Sequence, residues 1–334
     1  QISAAGAIGI LAWHWIRRIN WNRIWQYFSV PILAATAIGP MLLPLNELEM
    51  GFYASGFWLV IIGTLVFSWV IMHDLASLPR NMMRDILIPA LFGIMLIYAW
   101  EAFVVGFAVP RVLLPAPTEI VAALGREAST LAEDFQQTFL TSVVTGFVLG
   151  NGLGFVTALA VDRVPFLQRG LLPLGNFASA VPLVGIAPIM VMWFGFGWES
   201  QTSVIVIMLL SPLLINAIAG LNASDAIERD LLRSYGADYW RTLRSLRLPA
   251  ALPFLFNALK INSTLALIGA IVSEFFGSPI AGMGFRISVE IARMNVDVVW
   301  ATIAIAALAG SSAYGMLAVL ERKLTFWHPS YRSL

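Results

Sequence analysis

Two uninterrupted apolar runs, Phe139 to Val161 and Val298 to Leu320, contain no charged residue, and each is long enough to cross the roughly 20 residues' depth of a bilayer core as a helix. Around them the chain of 334 residues is 59% hydrophobic and only 12% charged, against about a quarter charged in soluble domains. Such a chain is predicted to be an all-α polytopic membrane protein. Eight segments have the length and polarity of spans: about 27–45, 52–72, 86–109, 138–161, 171–195, 202–221, 252–276 and 298–320. The fifth carries Pro173, Pro182 and Pro188 and is expected to be broken or kinked, because proline removes a helical hydrogen bond.

Lysine and arginine accumulate in cytoplasmic loops. If the eight spans alternate, one face collects Arg17, Arg18, Arg23, Arg80, Arg84, Arg163, Arg169, the arginines of 229–247, and Arg322, Lys323 and Arg332. The other face holds Arg111, Arg126, Arg286 and Arg293 among many carboxylates. Both termini are therefore expected in the cytoplasm. Between the third and fourth spans, Pro110 to Gln137 reads as an external segment with one short surface helix. A boundary near residue 85 sets the first two spans apart as a hairpin, after which no hydrophilic linker divides the chain.

With a net charge of +1 and no cysteine, the sequence gives no reason for a nucleic-acid partner and excludes disulfides and thiolate sites. His14, His73 and His328 are too scattered to suggest a metal site. No GxxxxGK[ST] loop, GxSxG elbow or HExxH helix is present, so neither nucleotide hydrolysis nor intramembrane proteolysis has its residues here. Trp13, Trp15, Trp21, Trp25 and Trp327 read as interfacial anchors. Gly146, Gly150 and Gly154 recur every fourth residue and smooth one helix face for close packing.

The segment Ala226 to Pro249, AIERDLLRSYGADYWRTLRSLRLP, stands out between two apolar runs. Its pattern predicts two short helices around Gly236. Asp225 or Ser224 would cap the first, and Leu231 and Leu232 would supply an apolar edge. The second would carry Trp240, Leu243 and Leu246 on one side, with Arg241, Arg244 and Arg247 interleaved. Leu248-Pro249 would end that helix and begin the next. Physics alone also allows an interfacial loop whose arginines touch anionic headgroups.

Asp230 to Pro249 resembles the cytoplasmic signature of ABC-importer permeases: an acidic-Ala-Ala opening, a glycine, then nine residues and a hydrophobic-x-Leu-Pro ending. Asp230, Leu231 and Leu232 stand at the opening, Gly236 at the glycine, and Leu246, Leu248 and Pro249 at the end. The opening departs in having Asp for Glu and leucines for alanines. Within that superfamily the chain is similar to the nitrate, sulfonate, taurine and bicarbonate group, through Leu113 to Leu124, Val181 to Gly197 and Val272 to Phe285. The resemblance covers residue 86 to the C-terminus and implies a six-helix type I permease core, with 1–85 as an N-terminal addition.

The resemblance further implies a bacterial inner-membrane importer that works by alternating access. Its parts would be a second permease copy, identical or related, two cytoplasmic ATPases that bind ATP and Mg, and an external substrate-binding protein. This chain would bind no cofactor and catalyse nothing. Residues 226–249 would couple it to the ATPase through Arg229, Asp230, Arg233, Ser234, Tyr235, Gly236, Ala237, Trp240, Leu248 and Pro249. Small anions such as sulfonates, taurine or nitrate lead as solutes, with pyrimidines or vitamin precursors as the alternative. From the residues, Ser211, Asn216, Asn262 and Glu274 are candidates to line the pathway; interhelical hydrogen bonding is the commoner use of the first three, and a structural hydrogen bond near the outer face is the alternative for Glu274. Glu101 reads as structural. A secondary transporter without an ATPase, or a membrane scaffold, would be the rival classes.

Overall fold

The computed structural model describes residues 55–77, 82–164, 166–167, 169–170, 182–277 and 280–327. Every regular element among them is helical. Six helical stretches are long and apolar enough to cross a membrane: Trp58–Ser77, Met83–Gly106, Ala128–Arg163, Trp198–Leu221, Tyr239–Gly277 and Val296–Leu324. These account for six of the eight expected spans. The one expected at 27–45 lies outside the described residues. Of 171–195, the described part is a 12-residue helix, Leu183–Phe194, with Pro188 inside it.

The chain divides into two compact units between Ala123 and Leu124. In the first, α1 (Ser55–Ser77) and α2 (Met82–Gly106) form an antiparallel hairpin. Ile71, Met72 and Leu75 meet Leu91 toward one end, and Ile61 meets Tyr98 and Ala102 toward the other. Helix α3 (Pro117–Arg126) begins where Glu101 of α2 accepts hydrogen bonds from the backbone N–H and hydroxyl of Thr118, at 3.0 and 2.7 Å. Glu119 reaches back to the N–H of Ala116 at 3.1 Å. Proline opens this helix where its missing donor costs nothing, and the two carboxylates satisfy exposed donors at its positive end.

The second unit is a bundle around α7 (Trp198–Leu221). Helix α4 (Ala128–Phe135) passes through a π-helical stretch, Gln136–Val143, into α5 (Val144–Arg163). The expected single external helix is thus two, α3 and α4, with Glu127 at the junction, and the second is continuous with a span. Helix α6 (Leu183–Phe194) packs Ala187 and Met190 against Val204 of α7. Next come α8 (Ala226–Ser234), α9 (Tyr239–Thr242), and a π-helical turn, Leu243–Arg247, leading into α10 (Leu248–Gly277). Helices α11 (Met283–Ala292) and α12 (Val296–Leu324) complete it.

The glycine stripe packs as its spacing predicts. A Cβ built on Gly146 would lie 2.7 Å from the Ile205 side chain, one on Gly150 3.2 Å from the Val206 Cα, and one on Gly154 3.2 Å from the Leu210 carbonyl oxygen. Helices α5 and α7 therefore meet at backbone distance, where dispersion substitutes for the hydrophobic drive that lipid cannot supply. Around this seam Ile205, Leu209, Ala266, Ala270 and Ala306 are buried together. Outward faces are apolar instead: Val148, Leu308 and Met316 are each more than 60% exposed, a pattern suited to lipid or a packed partner and costly in water.

Candidate functional site

The segment 226–249 projects from one end of the bundle, and none of the side chains of α8 is buried. Two helices form here around Gly236, as the sequence predicts. Gly236 adopts φ +73°. Its N–H donates to Arg233 O at 2.9 Å, and the next N–H, on Ala237, donates to Leu232 O at 3.0 Å. These two bonds satisfy the last carbonyls of α8, and the left-handed glycine makes them reachable. Asp238 then caps α9, its Oδ1 accepting from the N–H of Arg241 at 2.9 Å. The junction is locally encoded and needs no support from the bundle.

Four expectations about this segment are corrected. Asp225 occupies the cap position of α8, yet its side chain makes no capping bond, while Ser224 is buried. Trp240 does not share a face with Leu243: Trp240 is 53% exposed and Leu243 buried. Leu248-Pro249 begins α10 as expected but does not end the helix before it, because Leu248 N–H bonds to Leu243 O across a widened π turn. That turn leaves room for the proline ring, which enters in the first turn of α10 where its missing donor is tolerated. Finally, Arg247 is not interleaved with Arg241 and Arg244 on the solvent side. It turns into the bundle, because it lies four residues beyond the buried Leu243 and so on the same face of the helix.

The elbow presents an apolar row outward. Ile227 and Leu231 on α8 and Tyr235 at its C-cap, spaced by four residues and therefore aligned, are 82%, 56% and 79% exposed, and Trp240, after the turn, is 53% exposed. Asp230 and Ser234 border it, and the exposed Arg233 pairs with Asp230 at 3.5 Å. Arg229, Ala237, Leu248 and Pro249 are half-buried. Large apolar side chains held out by a rigid turn, with charges around them, have the anatomy of a protein-docking site. Ile227 belongs to this surface without having been expected there, although its i, i+4 relation to Leu231 marks it in the sequence.

The four candidate pathway residues lie on two helices, Ser211 and Asn216 on α7 and Asn262 and Glu274 on α10. Asn262 is fully buried in the bundle and donates to Asn151 Oδ1 at 2.7 Å and Leu209 O at 3.0 Å, bridging α10 to α5 and α7. Asn216, half-buried, donates to Pro212 O at 2.8 Å and accepts from Asn257 at 3.4 Å. Ser211 is buried on α7. At the end away from the elbow, Glu274 accepts from the Thr138 hydroxyl at 2.7 Å and Gly284 N–H at 2.6 Å.

That end is closed by charge pairs which the sequence did not announce. Asp134 accepts from Gly282 N–H at 2.8 Å and pairs with Arg286 at 2.7 Å, Glu290 joins Arg286 and Arg293 at 3.6 and 3.0 Å, and Asp297 pairs with Arg126 at 2.7 Å. Burial works against the charge of Arg286, but the hydrogen bond and charge of Asp134, followed by those of Glu290, outweigh it and hold its pKa above the ordinary value. At the elbow end, Arg247 pairs with Asp162, and Lys260 of α10 pairs with Glu321 of α12 at 2.7 Å.

The fold is that of a helical multi-pass membrane bundle with an exposed elbow at one end. Residues 150–326, more than half of the chain, match the family described as binding-protein-dependent transport system inner membrane component. The chain belongs to this family, the permeases of ATP-binding-cassette importers. It is 29% identical to the riboflavin transport system permease protein of Chloroflexus aurantiacus, over 73% of this chain and 90% of that one. It is also 29% identical to the formylaminopyrimidine transport permease protein of Halalkalibacterium halodurans, over 72% and 95%. Identity to a putative aliphatic sulfonates transport permease protein of Bacillus subtilis is 28%, over 75% and 89%.

Proposed function

We propose that this permease carries a small polar organic solute into the cytoplasm, driven by a separate ATPase that docks on the elbow at 226–249. The observation that carries the docking reading is the outward row Ile227, Leu231 and Tyr235, with the exposed Trp240 after a Gly236 turn held by its own hydrogen bonds. A second permease copy would complete the machine, and a binding protein would deliver solute at the opposite end. Gly236→Glu must place a bulky charged side chain at φ +73°, and Leu231→Asp puts a carboxylate in the apolar row. Each variant is expected to remain folded in the membrane while the ATPase no longer co-purifies. Retention of the ATPase by both variants would refute the assignment.

For the solute, the interior polar groups of the bundle support one class over another. Asn151, Asn262, Asn216, Asn257 and Gln201 are amides, and the buried or half-buried cations Arg247, Lys260 and Arg286 are each matched by a carboxylate. Amides offer donors and acceptors without net charge, which suits a heteroaromatic solute such as a vitamin precursor better than the sulfonate-like anion that the family resemblance favours. The relatives named for riboflavin and formylaminopyrimidine accord with that preference. The ligand retained by the purified binding protein decides it: a flavin or pyrimidine supports the heteroaromatic reading, and a sulfonate overturns it.

A further inference from the structure

Helix α5 has no covalent tie to the elbow, whereas α7 runs into it and α10 runs out of it. A knot of side chains at Asp162, in the last turn of α5, reaches across instead. The Arg247 guanidinium donates from Nη2 and Nη1 to the two oxygens of Asp162, at 2.6 and 2.8 Å, and from Nε to the Leu221 carbonyl at the end of α7, at 2.9 Å. The Tyr239 hydroxyl, from the first turn of α9, donates to Asp162 Oδ2 at 2.8 Å. Arg163 lies 4.5 Å above the Tyr239 ring. The side chains of Arg247 and Asp162 are only 12% and 8% exposed.

Apolar packing at this end sets Leu159 and Leu255 against Leu221, Leu243 and Ala251, contacts that carry no direction of their own. A forked guanidinium on a carboxylate has one register and resists sliding. Arg247, four residues beyond the buried Leu243, faces inward on the same side of the helix, while Arg241 and Arg244 stay exposed.

We propose that Asp162, Arg247 and Tyr239 are positioning residues that lock α5 to the elbow, so that a displacement of the elbow by the ATPase is passed to the glycine-striped α5 together with α7. The proposal rests on the docking reading above. It says that α5 is driven through this joint rather than following passively by contact with α7.

The test uses the permease–ATPase complex in lipid nanodiscs and reads amide hydrogen exchange with and without ATP and vanadate, so it needs no solute. In the unaltered complex, trapping is expected to change exchange at 226–237, at 158–163 and at 218–222. In Arg247→Lys, which keeps the charge and loses the fork, and in Asp162→Asn, which keeps the shape and loses the charge, the response at 226–237 is expected to persist. The response at 158–163 is expected to be lost, and Asp162→Glu should restore part of it. A response at 158–163 that survives both Arg247→Lys and Asp162→Asn overturns the joint and leaves docking intact. Loss of the response at 226–237 in both variants also overturns it, since the knot would then build the elbow rather than transmit from it. No response at 226–237 in the unaltered complex would sink the docking reading and the joint with it.

Discussion

A single added carbon separates two kinds of glycine in this protein. At Gly284 a Cβ would run into the Ile271 carbonyl oxygen and lie 2.8 Å from the Glu274 Cβ, so the contact between α11 and α10 admits no side chain. At Gly236 the same carbon would meet nothing within 4 Å, and only the left-handed backbone opposes it. Gly284→Ala is therefore expected to cost about 2 kcal/mol as overpacking. Gly236→Asn, a residue that tolerates this backbone, is expected to cost about 1 kcal/mol or less. Thermal unfolding of the purified variants in detergent checks this: the Gly284 variant should melt distinctly lower, and equal melting points would show that the α11 clasp yields.

Among elements, the seam between α5 and α7 makes the sharpest demand. Gly150 faces the Val206 backbone, while Gly152, two residues on, has nothing within 4 Å of its would-be Cβ. Gly150→Val should wedge the helices apart and reduce the yield of monodisperse protein. Gly152→Ala should leave yield unchanged or raise thermal stability by up to about 1 kcal/mol, since alanine is the better helix former. Size-exclusion profiles of the two variants test the seam directly, and a normal profile for Gly150→Val would mean that the close approach is dispensable. The sequence shows this seam because a four-residue glycine repeat in a helix has one physical use above others. It does not show the partner, because any apolar face could have supplied it.

On the scale of the whole bundle, charges sort by end. Arg163, Arg229, Arg233, Arg241 and Arg244 gather at the elbow, with Arg322 and Lys323 at the last turn of α12, whereas Arg126, Arg286 and Arg293 sit at the other end among Asp134, Glu290 and Asp297. That is the arrangement the loop arginines predict, and on the same rule we propose that the elbow faces the cytoplasm. Because the chain has no cysteine, an impermeant maleimide can test it. A cysteine at the exposed Ser245 should react only from the cytoplasmic side, and one at the exposed Ser129 only from outside. The opposite pattern would invert the topology.

Span length, glycine spacing and the Gly236 turn arise from local chemistry: about 20 apolar residues dictate a crossing helix, and a left-handed glycine closes α8 by bonds among its own near neighbours. The sequence by itself determined these, together with the sorting of charge. It did not determine that Arg247 turns inward to Asp162, that Glu274 and Asp134 clasp the start of α11, or that Pro249 continues a helix instead of ending one. Each depends on groups far apart in the chain, or on a π turn that leaves room for the proline ring, and only the packed bundle sets those positions.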